Sequence, residues 1–232
     1  MIARWSRISR GYPHLRNDRF DFVGARDHLD LIGDTTLSPQ PFFHLEIRML
    51  GVGETLPSFK ITGVKPGFNT HEENGVSAFE PLTETSFEGK WKVIFFYPKD
   101  FTFVCPTEIA AFAKLGKDFA DRDTIVLGGS TDNEFVKLAW RRDHADLDKL
   151  PIWQFADTGG KFARALGILD EAEGVALRAT FVVDPHNVVQ HVYVTNLNVG
   201  RAPDDTLRVV DALQTDELCA CNRPAGGETL GS

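Results

Sequence analysis

The stretch Trp91–Glu108, WKVIFFYPKDFTFVCPTE, constrains this chain more than any other, because an apolar run stops at a turn and a lone cysteine follows directly before a proline. Val93 to Tyr97 is a short run of β-branched and aromatic residues without helical period, the pattern of a strand buried on both faces. Pro98, Lys99 and Asp100 end it. Beyond Cys105, the residues Ile109, Phe112 and Phe119 recur at near-helical spacing, which predicts a helix from about Pro106 with Cys105 at its N-cap. Glu108 then falls on the third helical position, where a carboxylate folds back on the cap as in a capping box. Unpaired backbone N–H groups and the positive end of a helix dipole favour thiolate over thiol at such a place. The hydroxyl of Thr102, three residues upstream, is close enough along the chain to donate to the sulfur or to a substrate oxygen. A cysteine beside a strand is otherwise a small buried hydrophobe. The cap position, the proline and the threonine together point to chemistry instead.

Pro98, Thr102 and Cys105 match the pattern Pro-x-x-x-Thr-x-x-Cys, and from about Val52 to Asn222 the chain resembles the peroxiredoxins, in the flavour of the alkyl hydroperoxide reductase C type. The resemblance implies an α/β, thioredoxin-like fold with a mixed central sheet and helices on both faces. It also implies a thiol peroxidase acting on hydrogen peroxide and organic hydroperoxides, with no metal, haem or flavin. Arg178, just ahead of ATFVV, stands where the family places an active-site arginine. An arginine at a strand edge is otherwise a solvated gatekeeper. A guanidinium near Cys105 would hold the thiolate and donate to both oxygens of a peroxide. On the family's pattern Thr102 and Arg178 stabilise the developing charge and Pro98 shields the sulfur. Arg201 matches a family position too, although a surface or interface salt bridge explains it equally well.

Cys219 and Cys221 form a Cys-x-Cys in ELCACN. A zinc site is a poor reading, because no histidine lies nearby in sequence and the spacing is not that of a zinc knuckle. The resemblance implies a resolving cysteine in the tail, with Cys219 aligned to it. Cys221 departs from the single-cysteine tail and is similar to a subgroup with a tandem pair, so which of the two resolves stays open. In the family this disulfide crosses a homodimer that associates into rings, and a dithiol protein, thioredoxin-like or dedicated, reduces it.

Among 232 residues, 42% are hydrophobic, enough for one sizeable core. A formal charge of -8 argues against nucleic acid or an anionic membrane as partner. Three cysteines are too few for a secreted disulfide framework, which points to a reducing, cytoplasmic setting. No apolar stretch approaches a transmembrane length. Residues 1–48 carry arginine but no lysine and no lasting apolar period. Asp18, Asp21, Asp27, Asp30, Asp34 and Glu46 speak against a mitochondrial transit peptide. Met49 precedes GVGETLPSF, which looks like the family's usual opening, so residues 1–48 are expected to be an extension outside the fold or a misassigned start. The peroxidase domain is then 49–214, and 215–232 is a tail rich in Gly, Pro and polar residues.

Along the chain, Phe59 and Ile61 open a first strand, and Val64–Phe87 reads as a long loop rich in Gly, Pro, Asn and Glu. Thr124–Leu127 is a strand, and Thr131 with Glu134 forms a capping box before a helix carrying Phe135 and Leu138. Trp153–Ala156 is a strand, and Phe162–Leu166 a helix stopped by Gly167. Ala179–Val183 and Val188–Thr195 flank the turn residues Asp184, Pro185 and Asn187 as an antiparallel hairpin, and Leu207, Val210 and Leu213 line a last helix. Two other functions fit a lone cysteine: a hydrolase with His144, His186 or His191 as base, and a thioredoxin-like chaperone or interaction module without turnover. Peroxide consumption with a dithiol separates the three.

Overall fold

Strand Trp91–Phe96 lies inside a seven-stranded sheet, third from one edge, in a computed structural model that describes residues 48–231. Before it come β1 (Lys60–Val64), the short hairpin β2 (Glu72–Glu73) and β3 (Val76–Ser77), and β4 (Phe79–Thr83); Trp91–Phe96 is β5. Then follow α1 (Cys105–Lys114), α2 (Gly116–Ala120), β6 (Thr124–Ser130), α3 (Glu134–Asp143), a 3-10 turn at Ala145–Leu147, β7 (Trp153–Ala156) and α4 (Lys161–Ala165). The chain closes with the pair β8 (Leu169–Asp170) and β9 (Val175–Ala176), the hairpin β10 (Arg178–Val183) and β11 (Val189–Thr195), and α5 (Pro203–Gln214). The sheet runs β11-β10-β5-β6-β7-β1-β4. Its β5–β6 and β6–β7 contacts are parallel and the others antiparallel, the mixed sheet that the residue pattern predicts.

β5 shows why both faces are covered. Ile94 and Phe96 point into one apolar cluster with Leu56, Phe155, Phe162 and Phe181, while Val93, Phe95 and Tyr97 point into another with Phe112, Phe119, Trp140 and Val210. The period of two along the strand thus feeds α4 on one side and α1, α2, α3 and α5 on the other. Cys105 belongs to the second cluster. β6 runs on past Leu127 through Gly128 and Gly129, which lie across from Phe95 and Phe155. A Cβ on either glycine would come within 2.2 Å of the neighbouring ring. Two glycines that read as a strand's end are therefore what lets two core aromatics lie flat on its backbone.

Several expectations are corrected. The stretch Val64–Phe87 is not one loop: β4 pairs with β1, and Leu82 is buried opposite Ile61. Pro81 hid that strand, and an edge position tolerates it because the missing N–H faces outward. The helix after Cys105 ends at Lys114, so Phe119 lies on α2. Val104, not Cys105, is the N-cap of α1, and its side chain makes no capping bond. For α3 the cap is Asn133, whose side chain accepts from Val136 N at 3.0 Å, while the Thr131 hydroxyl donates to Gly174 O. On α3, Leu138 is buried but Phe135 is exposed. Gly167 does follow α4 with a left-handed φ of 70°, and Asn187 turns the hairpin with φ 63°.

The expectation for residues 1–48 lies outside the described residues except at Arg48, which pairs with Glu54. The tail beyond α5 is strapped down rather than loose. Asp211 on α5 accepts from Arg122 Nε at 2.9 Å, from Arg223 Nη1 at 2.7 Å and from Gly226 N at 2.8 Å, and Leu218 exchanges backbone bonds with Gly231 and Leu230. Among the described residues no helix is long and apolar enough to cross a membrane.

Candidate active site

Tyr97 continues β5 by donating its N–H to Gly129 O, and Pro98 then turns the chain, buried, into the loop that leads to Cys105. Because Cys105 is the first residue of α1 and Pro106 the second, the proline sits where its missing N–H costs nothing. Cys105 is 1% exposed. Arg178, first residue of β10, reaches it from the sheet, with Nη1 3.4 Å from Sγ. The same Nη1 donates to Glu108 Oε2 at 2.5 Å, and Nε donates to Leu197 O at 2.7 Å, so the guanidinium is fixed from two sides.

Glu108 does not fold back on the helix cap. Its carboxylate is 2% exposed and turns inward, where Arg201 also donates to it through Nε (2.7 Å), Nη2 (3.1 Å) and the backbone N–H (3.0 Å). Arg201 further donates to Ala179 O and Thr180 Oγ1 and lies over the Phe95 ring. The choice between surface ion pair and site residue thus resolves within this chain to a buried partner of Glu108. Its sequence signal was the VGR match alone, since 93 residues separate the two. Two guanidiniums, one carboxylate and one sulfur share a pocket of low polarity. Their charges cancel when the sulfur is a thiolate, the arrangement that makes burial of ionic groups tolerable.

Thr102 takes a different partner from the one expected. Its hydroxyl donates to Lys99 O at 3.0 Å rather than to the sulfur. The oxygen's lone pairs remain free to accept. Behind the loop, Tyr97 is buried, and burial first, then the neighbouring charges of Asp100 and Cys105, push its phenol well above the usual range. It stays protonated.

The tail cysteines are elsewhere. Cys219 is half-buried, with its sulfur against Ala212 O, Thr215 Oγ1 and Glu217 O, and Cys221 is exposed; all three cysteines are free thiols. Cys105, Glu108, Arg178 and Arg201 are brought together, then, with Pro98 and Thr102 in the loop that leads to the cysteine, while Cys219 packs against α5. No histidine is among the hydrogen-bond partners of Cys105 in the described residues. His186 is exposed in the hairpin turn, and His191, on β11, has its pKa lowered chiefly by burial.

The AhpC/TSA family model matches residues 52–192, and the chain belongs to that family, the peroxiredoxins. It is similar to two alkyl hydroperoxide reductases C. One, from Mycolicibacterium smegmatis, is 50% identical over 192 residues, which cover 80% of this chain and 96% of that protein. The other, from Mycobacterium tuberculosis, is 47% identical over 184 residues, covering 78% and 94%. Among solved structures, Mycobacterium tuberculosis AhpC superposes with a TM-score of 0.69 at 46% identity, over 75% of this chain and 99% of that one. A reduced Plasmodium vivax 2-Cys peroxiredoxin does so at 0.68 with 32% identity, over 76% and 91%. The fold is thioredoxin-like, and the protein is a thiol peroxidase of the alkyl hydroperoxide reductase C type.

Proposed function

We propose that Cys105 is the nucleophile with which this peroxidase reduces hydrogen peroxide and small organic hydroperoxides. The observation that carries the reading is the contact between Arg178 and the Cys105 sulfur, inside a buried cluster whose charges balance with a thiolate. The thiolate attacks one oxygen of R–O–O–H. The O–S bond forms as the O–O bond breaks, and the second oxygen leaves as alkoxide or hydroxide and takes a proton. Cysteine sulfenic acid and an alcohol or water result. Arg178 is placed to hold the negative charge as it spreads along this line, a preorganised stabilisation of the oxyanion-hole kind. Thr102, with its proton engaged on Lys99 O, accepts from the peroxide's O–H and so orients it. Pro98 keeps bulk water from the sulfur, and Glu108 with Arg201 holds Arg178 in place.

Cys219 or Cys221 then condenses with the sulfenic acid, releasing water, and an external dithiol protein reduces the disulfide by exchange. Cys219 makes its hydrogen bonds within its own tail and α5, and none to Cys105, which favours a disulfide across a homodimer, with rings of such dimers as the larger assembly. Three free thiols and this reliance on a dithiol fit a reducing, cytoplasmic compartment. The test is peptide mapping by mass spectrometry after one equivalent of peroxide. A Cys105–Cys219 or Cys105–Cys221 crosslink is expected; a Cys219–Cys221 bridge with Cys105 unmodified overturns the assignment.

A further inference from the structure

The loop that carries Pro98, Lys99 and Thr102 is gripped by α3, a helix that contributes nothing to the site itself. Lys137 of α3 is fully buried. Its ammonium donates to Ser130 Oγ at 2.8 Å and to both oxygens of Asp100, Oδ1 at 3.3 Å and Oδ2 at 3.4 Å, and lies 3.4 Å from Tyr97 Oη. Ser130, at the end of β6, passes its own proton to Asp100 Oδ1 at 2.9 Å. The Asp100 backbone N–H donates to Asp132 Oδ2 at 2.8 Å, so this one loop residue is held by side chain and main chain together. One turn along α3, Trp140 stacks on the next loop residue, Phe101, with ring centroids 5.6 Å apart and planes 26° from parallel. Phe101 has a left-handed φ of 55°, which a side chain of this size adopts when its surroundings impose it. Lys137 and Trp140, spaced three apart on one helix face, therefore fix two successive loop residues.

We propose that Lys137 is a positioning residue for peroxide reduction: by clamping Asp100 it sets the path of residues 98–104, and with it the Lys99 carbonyl from which Thr102 hangs. A buried ion pair is seldom the most stable filling for a core, since apolar residues of equal volume serve as well or better. What such a pair supplies is one geometry, and the geometry at stake here is that of the Thr102 hydroxyl relative to the sulfur. Displacing a positioned group by about 1 Å slows a reaction by up to roughly a hundredfold. Arg178 reaches the sulfur from β10 and is held by Glu108 of α1, and neither residue bonds to Lys137 or Asp100.

The inference rests on the peroxidatic role of Cys105 and is tested with the full chain carrying Lys137→Met. Rapid mixing measures Cys105 oxidation by hydrogen peroxide, and mass spectrometry follows its alkylation by iodoacetamide, which needs the thiolate but not the peroxide-orienting hydroxyl. The expected result is a peroxide rate lower by roughly ten- to a hundredfold with alkylation unchanged or faster. A peroxide rate equal to wild type overturns the proposal, and so does an equal fall in both rates. Because leaving Asp100 buried without a cation lowers the melting temperature, the double variant Lys137→Met, Asp100→Asn is measured beside it. Recovery of melting with the peroxide rate still low supports positioning; recovery of both reduces the pair to a stability element. A Cys105→Ser protein that still turned over would remove the underlying reading, whereas a fully active Lys137→Met beside an inactive Cys105→Ser removes this inference alone.

Discussion

Two carboxylates in this molecule each receive two arginines, yet they hold very different things. The side chains of Glu108 and its partners Arg178 and Arg201 are at most 5% exposed and hold the Cys105 sulfur; those of Asp211 and Arg122 are 13% and 25% exposed, and with Arg223, 5% exposed, they hold the tail that bears Cys219 and Cys221. Water reaches the Asp211–Arg122 pair and is shut out from the first clamp, so a similar set of charges should hold less firmly at the tail than at the sulfur. The division suits the chemistry. In the proposed mechanism one thiol is held for a small oxidant, and the other travels to meet it.

Four measurements break or sharpen this contrast. The largest effect is expected from Cys105→Ser, which should abolish peroxidase turnover while leaving circular dichroism and melting close to wild type, because serine fills the same buried site without the sulfur nucleophile. Turnover that persists would show that the rigid end is not where the chemistry lies. Next, Cys219→Ser with Cys221→Ser should remove the covalent dimer that peroxide produces on a non-reducing gel, leaving Cys105 to pass to sulfinic acid under excess oxidant. Cys219→Ser alone should keep part of that dimer, since Cys221 is exposed two residues away. An oxidised wild type that runs as monomer contradicts the travelling tail.

At the rigid clamp, Arg178→Ala should slow the first oxidation by about a hundredfold, the usual loss when one preorganised donor is removed from a developing anion. Stopped-flow kinetics decides, and an unchanged rate would leave Arg178 a purely structural partner of Glu108. The smallest effect is expected from Asp211→Asn: faster amide exchange over residues 217–231 and faster labelling of Cys219, with the peroxide rate intact. The same strap should respond to acid. Burial pushes the Asp211 carboxyl up, but the bonds from Gly226, Arg223 and Arg122 outweigh it and bring the folded-state pKa below its ordinary value. Its contribution is then complete above the unfolded value of about 3.9 and is lost as pH falls through the lower folded value, so protection of the tail amides, relative to intrinsic exchange at the same pH, should fall below about pH 4. Exchange that does not change with Asp211→Asn or with acid would mean that the backbone bonds at Leu218 alone hold the tail.

The strand and helix flanking Cys105 were legible because period and punctuation are local signals, and Arg178 was found because a family stretch surrounds it. The partners were not legible. Glu108 was singled out but given the wrong bond, since a glutamate at the third helical position looks like a cap residue until Arg201, 93 positions away, is seen to claim it. Lys137 reads as one more charge on an amphipathic helix, and its partner Asp100 as a turn residue 37 positions earlier. Charged pairs brought together by the tertiary fold leave no period to read. β4 was lost for another reason: its proline and glutamate suit an edge strand and mimic a loop.

The burial of Cys105, 1% exposed as a residue, has a consequence in time for the proposed mechanism. A disulfide needs its two Cα atoms within about 4.4–6.8 Å, so the proposed bond to a tail cysteine requires the start of α1 to open before that sulfur arrives. Until it does, the sulfenic acid waits. During that delay a second peroxide competes with the tail, one outcome reversible and the other leading to sulfinic acid. Scarce oxidant loses this race and abundant oxidant wins it. On that mechanism the stability of a single helical turn would set the peroxide concentration above which the enzyme silences itself, a dose threshold written into the fold.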